Sequence, residues 1–87
     1  MAELHLPTTL SGLFAGLPRS VELEAATVAE AIARLDERWP GLRDRLCEPG
    51  PVLRPHINVY VDRERAGLET ELGDRSRVDV IAAISGG

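Results

Sequence analysis

Two short stretches of strict alternation open the chain. Glu3-Leu4-His5-Leu6 alternates polar and apolar positions and stops at Pro7, and Ser20-Val21-Glu22-Leu23-Glu24 sets Val21 and Leu23 on one face with both glutamates on the other. Period-two alternation marks a half-buried strand, so both segments are predicted strands, the second antiparallel to the first. Between them, Leu10, Leu13, Phe14 and Leu17 are scattered among Gly12, Gly16 and Pro18. That mixture predicts an apolar loop or a single helical turn over Thr8 to Arg19. From Thr27 the period changes. Thr27-Val28-Ala29-Glu30 fits a capping box, in which the threonine hydroxyl accepts from the Glu30 amide and the Glu30 carboxylate reaches back to the Thr27 amide. Val28, Ala31, Ile32, Leu35 and Trp39 then recur at spacings of three and four, the stripe of a helix buried on one side. Pro40 and Gly41 end it after roughly 12 residues, with Trp39 as its last core anchor and one further turn over Leu42 to Leu46.

The second half is mostly extended. Glu48-Pro49-Gly50-Pro51 and Arg54-Pro55 read as a loop. Ile57, Val59 and Val61 then face one way and Asn58, Tyr60 and Asp62 the other, a third strand whose turn is predicted at Arg63 to Ala66. Leu68 and Leu72 suit a short crossing segment, and Gly73-Asp74 a bend. In the last strand, Val78 to Ile84, the face of Val78, Val80, Ala82 and Ile84 is apolar, and the face of Asp79, Ile81, Ala83 and Ser85 is nearly so. Such a strand belongs in a sheet interior, or reserves one face for another protein. The order of elements predicts an α+β fold: one main helix packed across one face of a mixed sheet, in a single domain spanning 1–87.

Composition narrows the chemistry. The 87 residues carry fourteen acidic and ten basic side chains, a net charge of −4, which disfavours nucleic acid as a partner. No stretch at the N-terminus resembles a signal peptide and no apolar run is long enough for a membrane span, so the expected location is cytoplasmic. All ten cations are arginine, so no Schiff base, P-loop lysine or ε-amine acceptor can form. A single cysteine, Cys47, rules out an internal disulfide or a thiolate cluster for zinc; its acidic neighbour Glu48 raises the thiol pKa, and a buried structural role is expected. His5 and His56 lie far apart, no metal site is expected, and no serine sits in a nucleophile motif. What remains is the end of the chain, Ile84-Ser85-Gly86-Gly87. Without Cβ atoms such a tail can thread a narrow channel, and three extended residues reach roughly 10 Å. A frayed end is the alternative.

Three stretches carry a family resemblance: Thr27 to Leu46, with its Trp-Pro-Gly-Leu-Arg exit; Leu53-Arg54-Pro55-His56-Ile57-Asn58-Val59-Tyr60-Val61; and the terminal Gly86-Gly87. Together they resemble the ubiquitin-like β-grasp sulfur carriers of the MoaD/ThiS family, with features of its cysteine-forming branch. The chain departs from the family pattern at Asp62-Arg63-Glu64 and in a tail approach that lacks proline. The resemblance implies a protein cosubstrate rather than an enzyme. An E1-like adenylyltransferase of the MoeB/ThiF type would adenylate the Gly87 carboxylate with ATP and Mg²⁺, neither bound permanently by this chain. A sulfur donor would convert the product to a thiocarboxylate for a sulfur-accepting synthase. Ser85 and Gly86 would thread the partner's channel as a flexible tail over 85–87, and Ile81, Ala83 and Tyr60 would form the docking face unless the Leu10 to Leu17 loop covers it. A ubiquitin-like modifier using the same tail, and a non-covalent β-grasp module, remain as alternatives.

Overall fold

The computed structural model of the chain describes residues 1–82. Strand β1 (Ala2–His5) pairs antiparallel with β2 (Ser20–Leu23), Leu4 opposite Val21 and Glu3 opposite Glu22. The alternation is realised: Ala2, Leu4, Val21 and Leu23 are buried, and both glutamates face solvent. Helix α1 (Thr8–Ser11) is one turn of the connection, and Leu10 and Leu17 anchor that connection in the core.

Helix α2 (Val28–Arg38) buries Val28, Ala31, Ile32 and Leu35. At its start the Thr27 hydroxyl accepts from the Glu30 amide at 3.2 Å. The Glu30 carboxylate, however, accepts from the Ala26 amide at 3.1 Å, one residue earlier than a standard box. Trp39 lies just past the helix, half-buried against the core, and its amide donates to the Leu35 carbonyl at 2.8 Å. Gly41, at φ +98°, turns the chain into α3 (Leu42–Leu46), where Leu42 and Leu46 are buried. An L side chain is disfavoured at that angle.

Two expectations need correcting. The proline-rich stretch is not all loop: β3 (Cys47–Glu48) and β4 (Val52–Leu53) form a small separate hairpin. Strands this short hold too few residues to show a period. Strand β5 (Ile57–Val61) turns at Asp62 and Arg63, whose φ values of 50° and 73° suit a two-residue hairpin loop. The residues expected as its turn instead form β6 (Glu64–Ala66), an edge strand paired along β5. Its charged side chains hide the strand from pattern reading and protect the edge.

Strand β7 (Arg77–Ala82) runs parallel to β1 and antiparallel to β5. The sheet order β2-β1-β7-β5-β6 makes β7 the central strand, with Val78 and Val80 buried on the helix side and Arg77, Asp79 and the exposed Ile81 on the outer face. Val78 and Val80 join Leu4, Leu23, Ile32, Leu35 and Val59 in the core under α2. Among the described residues no helix is long and apolar enough to cross a membrane.

Candidate functional site

The central strand β7 ends, among the described residues, at Ala82, just short in sequence of the residues read as the tail. Side chains alternate across a strand, so Ile81 and Asp79 point away from α2 while Val78 and Val80 point toward it. Ile81 stands opposite Asn58, and Tyr60 stands opposite Asp79. Tyr60 and Ile81 are therefore diagonal neighbours on the outer face of the sheet. A shallow hollow joins them to His5, Leu6 and Arg63. Ile81 is 46% exposed, among the described residues one of few large apolar side chains left to solvent. The Leu10 to Leu17 connection does not cover it; Leu10 and Leu17 are spent in the core.

Charges frame this apolar spot. His5 Nε2 lies 2.6 Å from Glu3 Oε1, and Arg77 Nε donates to Asp79 Oδ1 at 3.1 Å. The Arg77 amide donates to Asp62 Oδ1 at 2.9 Å, tying the β5–β6 turn to the start of β7. The outer face thus presents one greasy residue beside a half-buried phenol ring within a polar rim, the anatomy of a protein contact. Ala83, Ser85, Gly86 and Gly87, the remaining candidates, lie outside the described residues.

Other candidates sort by burial. Cys47 is buried, and burial pushes its thiol up from the ordinary 9.0, opposed by Arg43 and Arg54 and reinforced by Asp44. Its raised pKa matches expectation, although the main cause is desolvation and not the adjacent Glu48. Among the described residues no three of His, Cys, Asp and Glu gather as a metal site would require. Two features escaped sequence reasoning. Asp36, on α2, accepts from the amides of Gly41 and Arg43, each at 3.1 Å, and so caps α3 from the preceding helix. A second hollow opens on the helix side of the β7 end, between the α1 connection, α3 and His56. Neither gives a linear motif; Asp36 alone, an acidic residue four before a Pro-Gly corner, offered a hint.

A mixed five-stranded sheet crossed by one helix, with the last described strand at its centre, is the ubiquitin-like β-grasp architecture of small carrier and modifier proteins. The ThiS family model matches residues 8–87, and the chain belongs to that family of carriers, which are not themselves catalysts. It is 30% identical to the sulfur carrier protein CysO of Mycobacterium tuberculosis, covering 97% of this chain and 96% of the relative. It is 35% identical over 66 residues to small archaeal modifier protein 3 of Haloferax volcanii, 71% of either chain. Among solved structures, a chain of the Amycolatopsis orientalis BexX/CysO complex superposes with a TM-score of 0.89 at 34% identity over the full length of both. The chain is thus a ubiquitin-like sulfur carrier of the MoaD/ThiS type, similar to the CysO proteins.

Proposed function

We propose that this chain is a protein-sized cosubstrate whose Gly87 carboxylate is charged by an E1-like adenylyltransferase of the MoeB/ThiF type. A carboxylate oxygen attacks the α-phosphorus of ATP, pyrophosphate leaves, and an acyl-adenylate forms; the Mg²⁺ and the cations that stabilise the phosphates belong to the partner. Sulfide sulfur from a donor then attacks the acyl carbon, AMP leaves, and the resulting thiocarboxylate passes sulfur to an accepting synthase. Gly86 and Ser85 thread the partner's channel, and Ile81, Tyr60 and Ala83 hold the docking face. The cycle runs in the cytoplasm, and its product is one of the sulfur-containing metabolites that such carriers feed.

One observation carries this reading: the family match runs through Gly87 itself, in a chain whose central strand is its last described element. The similarity to a small archaeal modifier protein favours a second reading, in which a lysine amine of another protein intercepts the same adenylate. Mass spectrometry after incubation with the adenylyltransferase, ATP and a sulfide donor separates them. A mass change equal to one oxygen replaced by sulfur, located on the Gly87 peptide, supports the carrier; adducts on other proteins support the modifier; no change defeats both. In the same assay Ile81→Asp lowers kcat/KM for charging by roughly tenfold or more, the effect of a central apolar contact, without moving the melting temperature.

A further inference from the structure

Neighbouring side chains on a strand point to opposite faces, so Ile81 and Ala82 look out on different sides of the sheet. The second hollow begins at Ala82. Its walls are Leu10 and Leu13 from the α1 connection, and its rim carries Arg45, Arg54 and His56 with one acid, Asp44. We propose that this hollow is a second docking surface, separate from the Ile81 face, and that it takes an acidic segment of a partner protein tipped with an apolar side chain.

Three observations carry the assignment. Leu13 is 54% exposed although Leu10 and Leu17 on either side of it are buried, so an aliphatic side chain is offered to solvent at the mouth. Arg54 is anchored at one end: its Nε donates to the Asp44 carbonyl at 2.8 Å, while its partly exposed guanidinium lies 3.6 Å from Glu48 and can be shared with a second carboxylate. Arg45 is exposed and, among the described residues, enters no ion pair. The local balance matters too. The stretch from Gly41 to Ile57 holds Arg43, Arg45 and Arg54 against Asp44 and Glu48, in a chain where acids outnumber bases fourteen to ten. Two arginines against one aspartate at the rim, on an otherwise acidic protein, complement carboxylates, and the greasy floor selects an apolar tip. Placed on the opposite side of β7 from Ile81, the hollow lets a second protein approach the root of the same tail by a different face.

The test is an amide-resolved NMR titration of the full chain with the acetylated peptide Asp-Glu-Leu-Leu-Glu and with its charge-reversed counterpart. The acidic peptide shifts the amides of Leu13, Arg45, His56 and Ala82, high salt suppresses the shifts, and the basic peptide leaves them unmoved. Arg45→Glu and Leu13→Ser, both on exposed positions, each weaken the acidic peptide by roughly tenfold. Ile81→Asp leaves its affinity unchanged. The proposal is overturned by shifts centred on Tyr60 and Ile81, by equal response to the basic peptide, by no response at millimolar peptide, or by concentration-dependent self-association at the hollow. No ATP or sulfide enters this measurement, so its failure is distinct from failure of the carrier chemistry.

Discussion

Asp36 is the residue whose removal tests the architecture most sharply. Its Oδ1 accepts from the part-buried amide of Gly41 and the exposed amide of Arg43, both at 3.1 Å, at a corner where the N-cap residue of α3 is a glycine with no side chain to offer. Hydrogen bonds to a charged acceptor contribute about 1.5–3 kcal/mol when shielded and less in solvent, so Asp36→Ala should cost about 2 kcal/mol in total. For a domain of this size that is a fall in melting temperature of about 10 °C. Asp36→Asn keeps an acceptor oxygen and should lose roughly half as much. Glu37→Ala is the control: its side chain is 72% exposed and 4.0 Å from Arg34, and its loss should cost less than about 0.5 kcal/mol. Thermal and urea unfolding of the three variants measure this. If Asp36→Ala proves no worse than Glu37→Ala, the cross-helix cap does not hold the corner, and the account of how α3 is positioned beneath the Arg45–Arg54 hollow fails with it.

Two further outcomes follow from local chemistry. Thr27→Ala removes the hydroxyl that accepts from Glu30 and should cost about 1 kcal/mol, read as a shift in urea midpoint at unchanged slope. For Cys47, the folded state holds its proton more tightly than the unfolded chain does. Stability is therefore unaffected by this group below the ordinary 9.0 and declines as pH rises from there toward the folded value. Cys47→Ala should abolish that part of the alkaline decline in midpoint; an unchanged slope would mean the thiol is not desolvated in solution.

Much of the molecule was legible before any coordinates. The alternation in Glu3 to Leu6, Ser20 to Glu24 and Ile57 to Val61 placed β1, β2 and β5, and the three-and-four spacing from Val28 placed α2. These signals are strong because burial of one face imprints its own period on a contiguous segment. The apolar pattern of the last strand allowed an interior position or a face kept for another protein; β7 is central in the sheet, with Ile81 exposed on its outer face. Residue order placed Ile81 on the outer face, but whether the Leu10 to Leu17 connection covered it was open until the packed chain showed it exposed. Other features depended on residues far apart in the chain. Whether Glu64–Ala66 was turn or edge strand rested on pairing with β5, not on its own side chains. The Asp36 cap needed α2 and α3 to meet at a fixed angle, and the gathering of Leu13, Arg45, Arg54 and His56 beside Ala82 needed four separate segments to converge. Linear order encodes what each segment buries; only the packed chain decides which unburied groups become neighbours, because that depends on distances between segments that no local period records.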